Sequence, residues 1–391
     1  MTIPGFTSTG SKSPEALFGI AASSALAASL PIRLSSSQGA RIRDDQGREY
    51  LDFVMALGAV TLGYRHPEVM AAAVEAIERG GVGSLAPAEE ERLAGRLREL
   101  LPWCERIRFL KTGAEAVAAA VRLGRVHTGR ERVLGCGYHG WLDLSGTGAG
   151  VPAAVTGLYQ AIPFNDAERA QRIIREVGDE LAVVVVEPVV ERAPSVEWLG
   201  VLREETRRVG AVLVFDEIKT GFRVAVGGAV ERWGVVPDLV VYGKGLANGF
   251  PLAAVGGRAE IMEQVARTWI SSTLATEFVS LAAASAAVDV TVRERFPDHA
   301  RRVGQLLLAG FEAQAGQYPD LVSEAFGIPE MAALRFRDEA IGGAVAAAMA
   351  QRGVVFKRTA YNFVSLAHGD AEVGVGIAAL GEALAEVRAR C

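Results

Sequence analysis

Cysteine is scarce in this chain: there are three among 391 residues, Cys104, Cys136 and Cys391, and no two stand in C-x-x-C spacing. That distribution excludes a disulfide framework and gives no zinc signature. Histidine is nearly as rare. Five are scattered along the chain, and no metal centre is expected. Basic runs are missing too. The net charge is −5 and the pI near 5.7, which removes nucleic acid from the expected partners. No apolar run is long enough for a confident membrane span. The nearest approach is the uncharged stretch 16–32, which follows Glu15 and is diluted by Ser23, Ser24 and Ser29. It reads as an N-terminal helix packed on the body or on a partner subunit, and the expected location is the cytoplasm, with no membrane partner.

Half of the residues are hydrophobic and 22% are charged, which is a globular composition. This length exceeds one ordinary core, so two domains, or one large α/β domain with an appendage, are expected. Short apolar runs alternate with helical segments, a pattern that predicts an α/β fold with a mostly parallel sheet covered by helices. Strands are expected at 106–110, 132–135, 181–187, 211–216 and 239–242, and helices at 115–128, 166–177 and 199–209. Val183–Val186 is four β-branched residues in a row, as in a central strand buried on both faces. Outside this block, 42–54 reads as a hairpin turning at 44–47, and Ala-rich helical stretches follow Leu281, the final helix lying at 373–390. The expected division is an N-terminal segment contributing to a small domain (1–54), a large α/β domain (55–285) and a C-terminal small domain (286–391).

Three segments at expected strand ends carry the chemistry, the place where α/β sheets bind ligands. In "VLVFDEIKTGFR" an apolar strand delivers Asp216, a carboxylate that needs a cation or a protonated ring nitrogen. In "PDLVVYGKGLANGFPLAAVGG" a strand ends in Lys244 between two glycines, open to close approach by a ligand. In "RFLKTGAEAV" Thr112, Gly113 and Ala114 join a strand to a helix, whose first N–H groups suit a phosphate. An aldehyde-capturing lysine, an acid for a ring nitrogen and a phosphate cradle are the needs of pyridoxal 5′-phosphate. "GCGYHGW" adds Tyr138 and His139, either of which could stack on the pyridine ring. Each piece also has a plainer use: a strand-to-helix turn for 112–114, a core tyrosine for Tyr138, a structural histidine for His139.

The chain resembles the class III pyridoxal-phosphate aminotransferases of fold type I, and within them the glutamate-1-semialdehyde aminomutase branch. The resemblance runs over roughly residues 30–380 through "DDQGREYLDFV", "GYRHPEV", "TGAEAV…RLGRVHTGR", "GYHGW", "PFND", "DEIKTGFRVAVGGA" and "PDLVVYGKGLANGFPLAAVGGRAEIM". It implies a large sheet domain that binds the cofactor and a smaller α+β domain made from both chain ends. It also implies that Lys244 is the Schiff-base lysine and proton carrier, that Asp216 pairs with the ring nitrogen, and that Ile218 packs under the ring with Tyr138 on the other face. Gly113 and Ala114 match the phosphate donors, and Thr273 matches a threonine that reaches the phosphate of a neighbouring subunit, hence a homodimer with shared sites.

The chain departs from the family pattern at several points. A Gly-Asn-Pro turn usually follows the threonine, in a region aminomutases use as a gating loop; here "TLATEF" introduces Glu277, placed by the resemblance near the substrate entrance. Lys219 stands where many relatives have a glutamine, and Lys111 replaces a small polar residue. Lys357 and Arg358 fall where some relatives bind the donor's carboxylate. Glu187 either lines the site or fixes a loop.

The expected activity is transfer of an amino group from an amino-acid donor to a ketone or aldehyde of specialised metabolism. The alternative is an isomerase: an amino shift of the aminomutase kind, or an epimerase or racemase. A non-catalytic relative is opposed by the intact Lys244 and Asp216. A nicotinamide oxidoreductase is opposed by the lack of a G-x-G-x-x-G turn opening a helix after the first strand of the block.

Overall fold

The computed structural model describes residues 2–146 and 148–390, so Met1, Thr147 and Cys391 lie outside the described residues. The chain divides into two compact units, one of residues 1–66 with 295–391 and one of residues 67–294. The division therefore falls at His66/Pro67 and Glu294/Arg295 rather than at 54/55 and 285/286. Segment 55–66 is bonded into the first unit: Tyr64 donates its hydroxyl to Asp52 at 2.7 Å and Leu366 donates its N–H to the Thr61 carbonyl at 2.8 Å. The helix Phe278–Arg293 runs unbroken past residue 285.

The strands in chain order are β1 (Leu34–Gln38), β2 (Arg41–Asp44), β3 (Glu49–Asp52), β4 (Arg106–Leu110), β5 (Arg132–Cys136), β6 (Tyr159–Ala161), β7 (Leu181–Val186), β8 (Val212–Asp216), β9 (Leu239–Tyr242), β10 (Ala253–Gly257), β11 (Val322–Ile328), β12 (Met331–Phe336) and β13 (Val354–Val355). The second unit holds a seven-stranded sheet in the order β4-β10-β9-β8-β7-β5-β6. From β9 to β6 the pairs are parallel, while β10 runs antiparallel to both β4 and β9. All six residues of β7 are buried, as a central strand with apolar layers on both faces requires. Helices Gly113–Thr128, Ala167–Val177 and Val196–Val209 start at side-chain caps from Thr112, Asp166 and Ser195.

In the first unit the 42–54 hairpin is β2 with β3, closed by Gly47 donating to the Asp44 carbonyl at 3.1 Å. Its sheet runs β1-β2-β3-β13, and β11 pairs with β12 in a second ribbon. The stretch 16–32 does not form one helix. The helix Pro14–Phe18 stops at Gly19, whose φ of 67° caps it in the left-handed region, and a short 3₁₀ turn covers Ala25–Ser29. Phe18 is buried, so the short helix does pack on its own unit. Among the described residues no helix is long and apolar enough to cross a membrane.

Candidate active site

β8 is buried along its whole length and ends in Asp216, which is 2% exposed. One carboxylate oxygen lies 2.8 Å from His139 Nδ1, and the other accepts the Ile218 N–H at 3.2 Å. His139 is buried as well, and its Nε2 has no hydrogen-bond partner among the described residues. A carboxylate so enclosed keeps acceptor capacity for one further proton-bearing group. The "GYHGW" loop brings His139 to this acid, while Tyr138 beside it stands 71% exposed.

Lys244 follows β9 after a single residue, Gly243, and adopts a φ of 40°, left-handed backbone that costs a non-glycine residue about 1 kcal/mol or more. Burial draws its ammonium down to about 8, and the Lys219 ammonium pushes the same way, against the carboxylates of Glu187 and Asp216. The amine is thus partly unprotonated at neutral pH. Lys219 is itself paired with Glu187 at 2.9 Å, and the other oxygen of Glu187 accepts the Tyr138 N–H at 3.1 Å. Glu187 therefore both borders this cluster and fixes the loop after β5.

The third strand end is a helix start. Thr112 Oγ1 accepts the Glu115 N–H at 3.2 Å while the Glu115 carboxylate accepts the Thr112 N–H at 2.9 Å, a reciprocal cap. The N–H groups of Gly113 and Ala114 are among the first-turn donors that no helix satisfies internally, and an anion fits there. Two close approaches join this turn to the other strand ends. A Cβ on Gly113 would lie 2.4 Å from Ile218 Cδ1, and one on Gly140, at φ +97°, would lie 2.4 Å from Ala114 Cβ. Glycine alone lets the loops after β8 and β5 pack against the cradle.

The remaining expected residues are placed as follows. Thr273 is exposed in the turn before the helix Phe278–Arg293. Glu277 caps that helix, accepting the Val279 N–H at 2.7 Å and the Ser280 N–H at 2.9 Å, and pairs with Lys111. Lys357 and Arg358 belong to the unit built from both chain ends. Lys357 Nζ donates to the Ser11 carbonyl at 3.0 Å and Arg358 Nη2 to the Glu15 carbonyl at 3.0 Å. Both residues are buried, and these bonds tie down the N-terminal segment.

Two residues escaped the sequence reading. Glu217, fully buried, accepts the Ala229 and Val230 N–H groups at 2.6 and 3.1 Å and bonds Thr220, and burial lifts its carboxyl to about 7. Arg223 is 1% exposed and close enough to depress Lys244 further. The one available signal was the density of charge in "DEIKTGFR" straight after an apolar strand.

The family model for class III aminotransferases matches residues 23–369. Glutamate-1-semialdehyde 2,1-aminomutase of Thermomicrobium roseum is 34% identical over 407 aligned positions, 91% of each chain. The enzyme of that name from Pyrobaculum calidifontis is 41% identical over 255 positions, and the match spans 60% of this chain and 58% of that one, under two thirds of the relative's length. Among solved structures, the PLP form of the FumI protein of Sphingopyxis sp. MTA144 superposes with a TM-score of 0.87 at 27% identity, covering 92% of this chain and 89% of the other. An omega-transaminase from Sphaerobacter thermophilus gives 0.84 at 28% identity, covering 91% of both. Fold and strand-end chemistry together are those of a pyridoxal-phosphate enzyme of fold type I. Within that class, the chain belongs to the class III aminotransferases.

Proposed function

We propose that this protein moves an amino group from an amino-acid donor to a ketone or aldehyde acceptor, and that Lys244 carries the chemistry. The supporting observation is the Lys244 amine, drawn down to about 8 at the end of β9 in the same unit as Asp216. The residues present fit the cofactor: a buried acid with acceptor capacity to spare, an amine that deprotonates near neutral pH, and a helix start with free first-turn donors. Pyridoxal phosphate, when bound, supplies the electron sink that weakens the bond to hydrogen at the substrate carbon. Asp216 would hold the ring nitrogen's proton, and His139 would orient Asp216 through Nδ1. The Gly113 and Ala114 N–H groups, with Thr112, would hold the phosphate. Ile218 would bear on one ring face and Tyr138 or His139 on the other. Lys244 Nζ would take a proton from the donor's carbon, hold it, and return it at the neighbouring position.

A homodimer is part of the proposal. Thr273, flanked by Trp269 at 90% exposure and by exposed Leu274, would meet the cofactor phosphate of a second copy. A cytoplasmic location fits the buried free thiols of Cys104 and Cys136.

The test is a visible absorption scan of the holoenzyme with single amino donors and no acceptor. Loss of the cofactor band with stoichiometric release of a keto acid supports the transaminase. Lys244→Ala is expected to abolish turnover; normal activity in that variant would end the proposal. The match to enzymes named glutamate-1-semialdehyde 2,1-aminomutase favours a second reading, an amino shift within one substrate. In that case no common donor bleaches the band, and product forms without an external acceptor.

A further inference from the structure

Two carboxylates act on the Lys244 amine, and each is turned to other partners. Asp216, at the end of β8, is taken by His139 at 2.8 Å and by the Ile218 N–H at 3.2 Å. Glu187, directly after β7, accepts from Lys219 Nζ at 2.9 Å with one oxygen and from the Tyr138 N–H at 3.1 Å with the other. The side chains of Lys219 and Glu187 are only 15% and 7% exposed. Gly137 makes room for the carboxylate: its φ is +106°, and a Cβ there would lie 2.6 Å from Glu187 Oε2. Glu187 is thus clasped between the loop after β5 and the segment after β8, where little solvent screens its charge. Among the described residues no hydrogen bond or ion pair reaches Lys244 Nζ. The charges of Glu187 and Asp216 nonetheless favour its protonated form, while those of Lys219 and Arg223, both on the segment after β8, oppose it. A buried carboxylate left without a partner is costly and draws any cation within its field. Without Lys219, Glu187 would be such a carboxylate and Lys244 such a cation.

We propose that Lys219 is a positioning residue for Lys244: it occupies Glu187, so that this carboxylate does not pair with the amine and the amine is left free to react. The proposal rests on reading Lys244 as the reactive amine. Its test follows the protonation of Lys244 in the full-length, cofactor-free protein. Acetic anhydride is applied at intervals from about pH 6 to 11, and acetylation of Lys244 is followed by mass spectrometry of its peptide; the side chain keeps partial exposure, so a small reagent reaches it. The wild-type midpoint should lie near 8. Lys219→Met should raise it by about one unit and so slow labelling at pH 7 about tenfold. Glu187→Gln removes the charge, keeps an acceptor for the Tyr138 N–H, and should lower the midpoint. The double variant should return close to the wild type, and Lys219→Arg, which keeps the pair, should not move. Shifts of opposite sign that cancel in the double variant separate this role from a loosened site, which would raise the midpoint in every variant. An unchanged midpoint in Lys219→Met, or shifts of one sign in both single variants, overturns the proposal. A wild-type midpoint at the ordinary lysine value of 10.5 overturns it too. The labelling involves no cofactor, so its outcome is separate from the absorption test of the transaminase reading.

Discussion

Glu217→Gln turns a buried charge into a measurable pH dependence. The carboxyl lies beside Asp216, is fully enclosed, and is lifted from 4.5 to about 7 because burial outweighs the hydrogen bonds from Thr220, Ala229 and Val230. A group whose folded value lies above its unfolded value stabilises fully below the unfolded pKa and loses that contribution as pH rises through the folded one. The wild type should therefore weaken between pH 4.5 and about 7. The loss amounts to about 3 kcal/mol in total, at about 1.4 kcal/mol per pH unit. Glutamine keeps an acceptor for the two N–H groups and cannot ionise. Urea unfolding of both proteins at intervals from pH 5 to 8 isolates the effect, because every other titrating group cancels in the difference. The variant should gain on the wild type up to about pH 7 and level off above it. A flat difference curve, or one of opposite slope, would refute the assignment of a neutral Glu217 held in the folded protein.

Asp216→Asn preserves the acceptor for Ile218 but removes the charge, and should lower kcat on the order of 10²–10³-fold with the unfolding midpoint retained; a near-native rate would contradict the role given to that acid. Gly113→Ala drives a methyl into Ile218 and should cost about 1–3 kcal/mol by overpacking. Adding Ile218→Val, which removes Cδ1, should restore much of it in thermal unfolding, and failure to do so would place the strain elsewhere. His368 is fully buried, accepts the Ser365 N–H at 3.0 Å, and has its pKa drawn from 6.5 to about 4 by burial. Its contribution is present above pH 6.5 and lost as pH falls through 4, so His368→Gln should remove about 3 kcal/mol of acid destabilisation in that window. Identical acid unfolding of variant and wild type would refute it.

β7, β8 and β9 were legible because a strand buried on both faces must be an unbroken apolar run, and nothing else explains four valines followed by a turn. The glycines flanking Lys244 and following Thr112 were legible for the same kind of reason, since they mark places where backbone must come close to something. β10 was not. Its sequence, Ala-Ala-Val-Gly-Gly, has weak strand preference, and it exists because β4 and β9 offer it two edges at once. The bond from His139 to Asp216 was not legible either, since adjacent residues of an irregular loop point different ways for reasons held in neighbouring loops. Lys111 and Glu277 could each be recognised as unusual, but 166 residues separate them, and only the fold makes them a pair.

The unit assembled from both chain ends has a consequence for synthesis. β1, β2 and β3 leave the ribosome before the rest, yet β13, which pairs with β3 in parallel through Leu51 and Asp52, arrives just over 300 residues later. Residues 67–294 can form their own core in the interval, while the early hairpin waits with the edge of β3 unsatisfied. Such an edge templates pairing with other chains until its partner strand arrives. Expression yield should therefore depend on how quickly the last quarter of the chain is translated, and truncations near the C-terminus should aggregate through their first fifty residues.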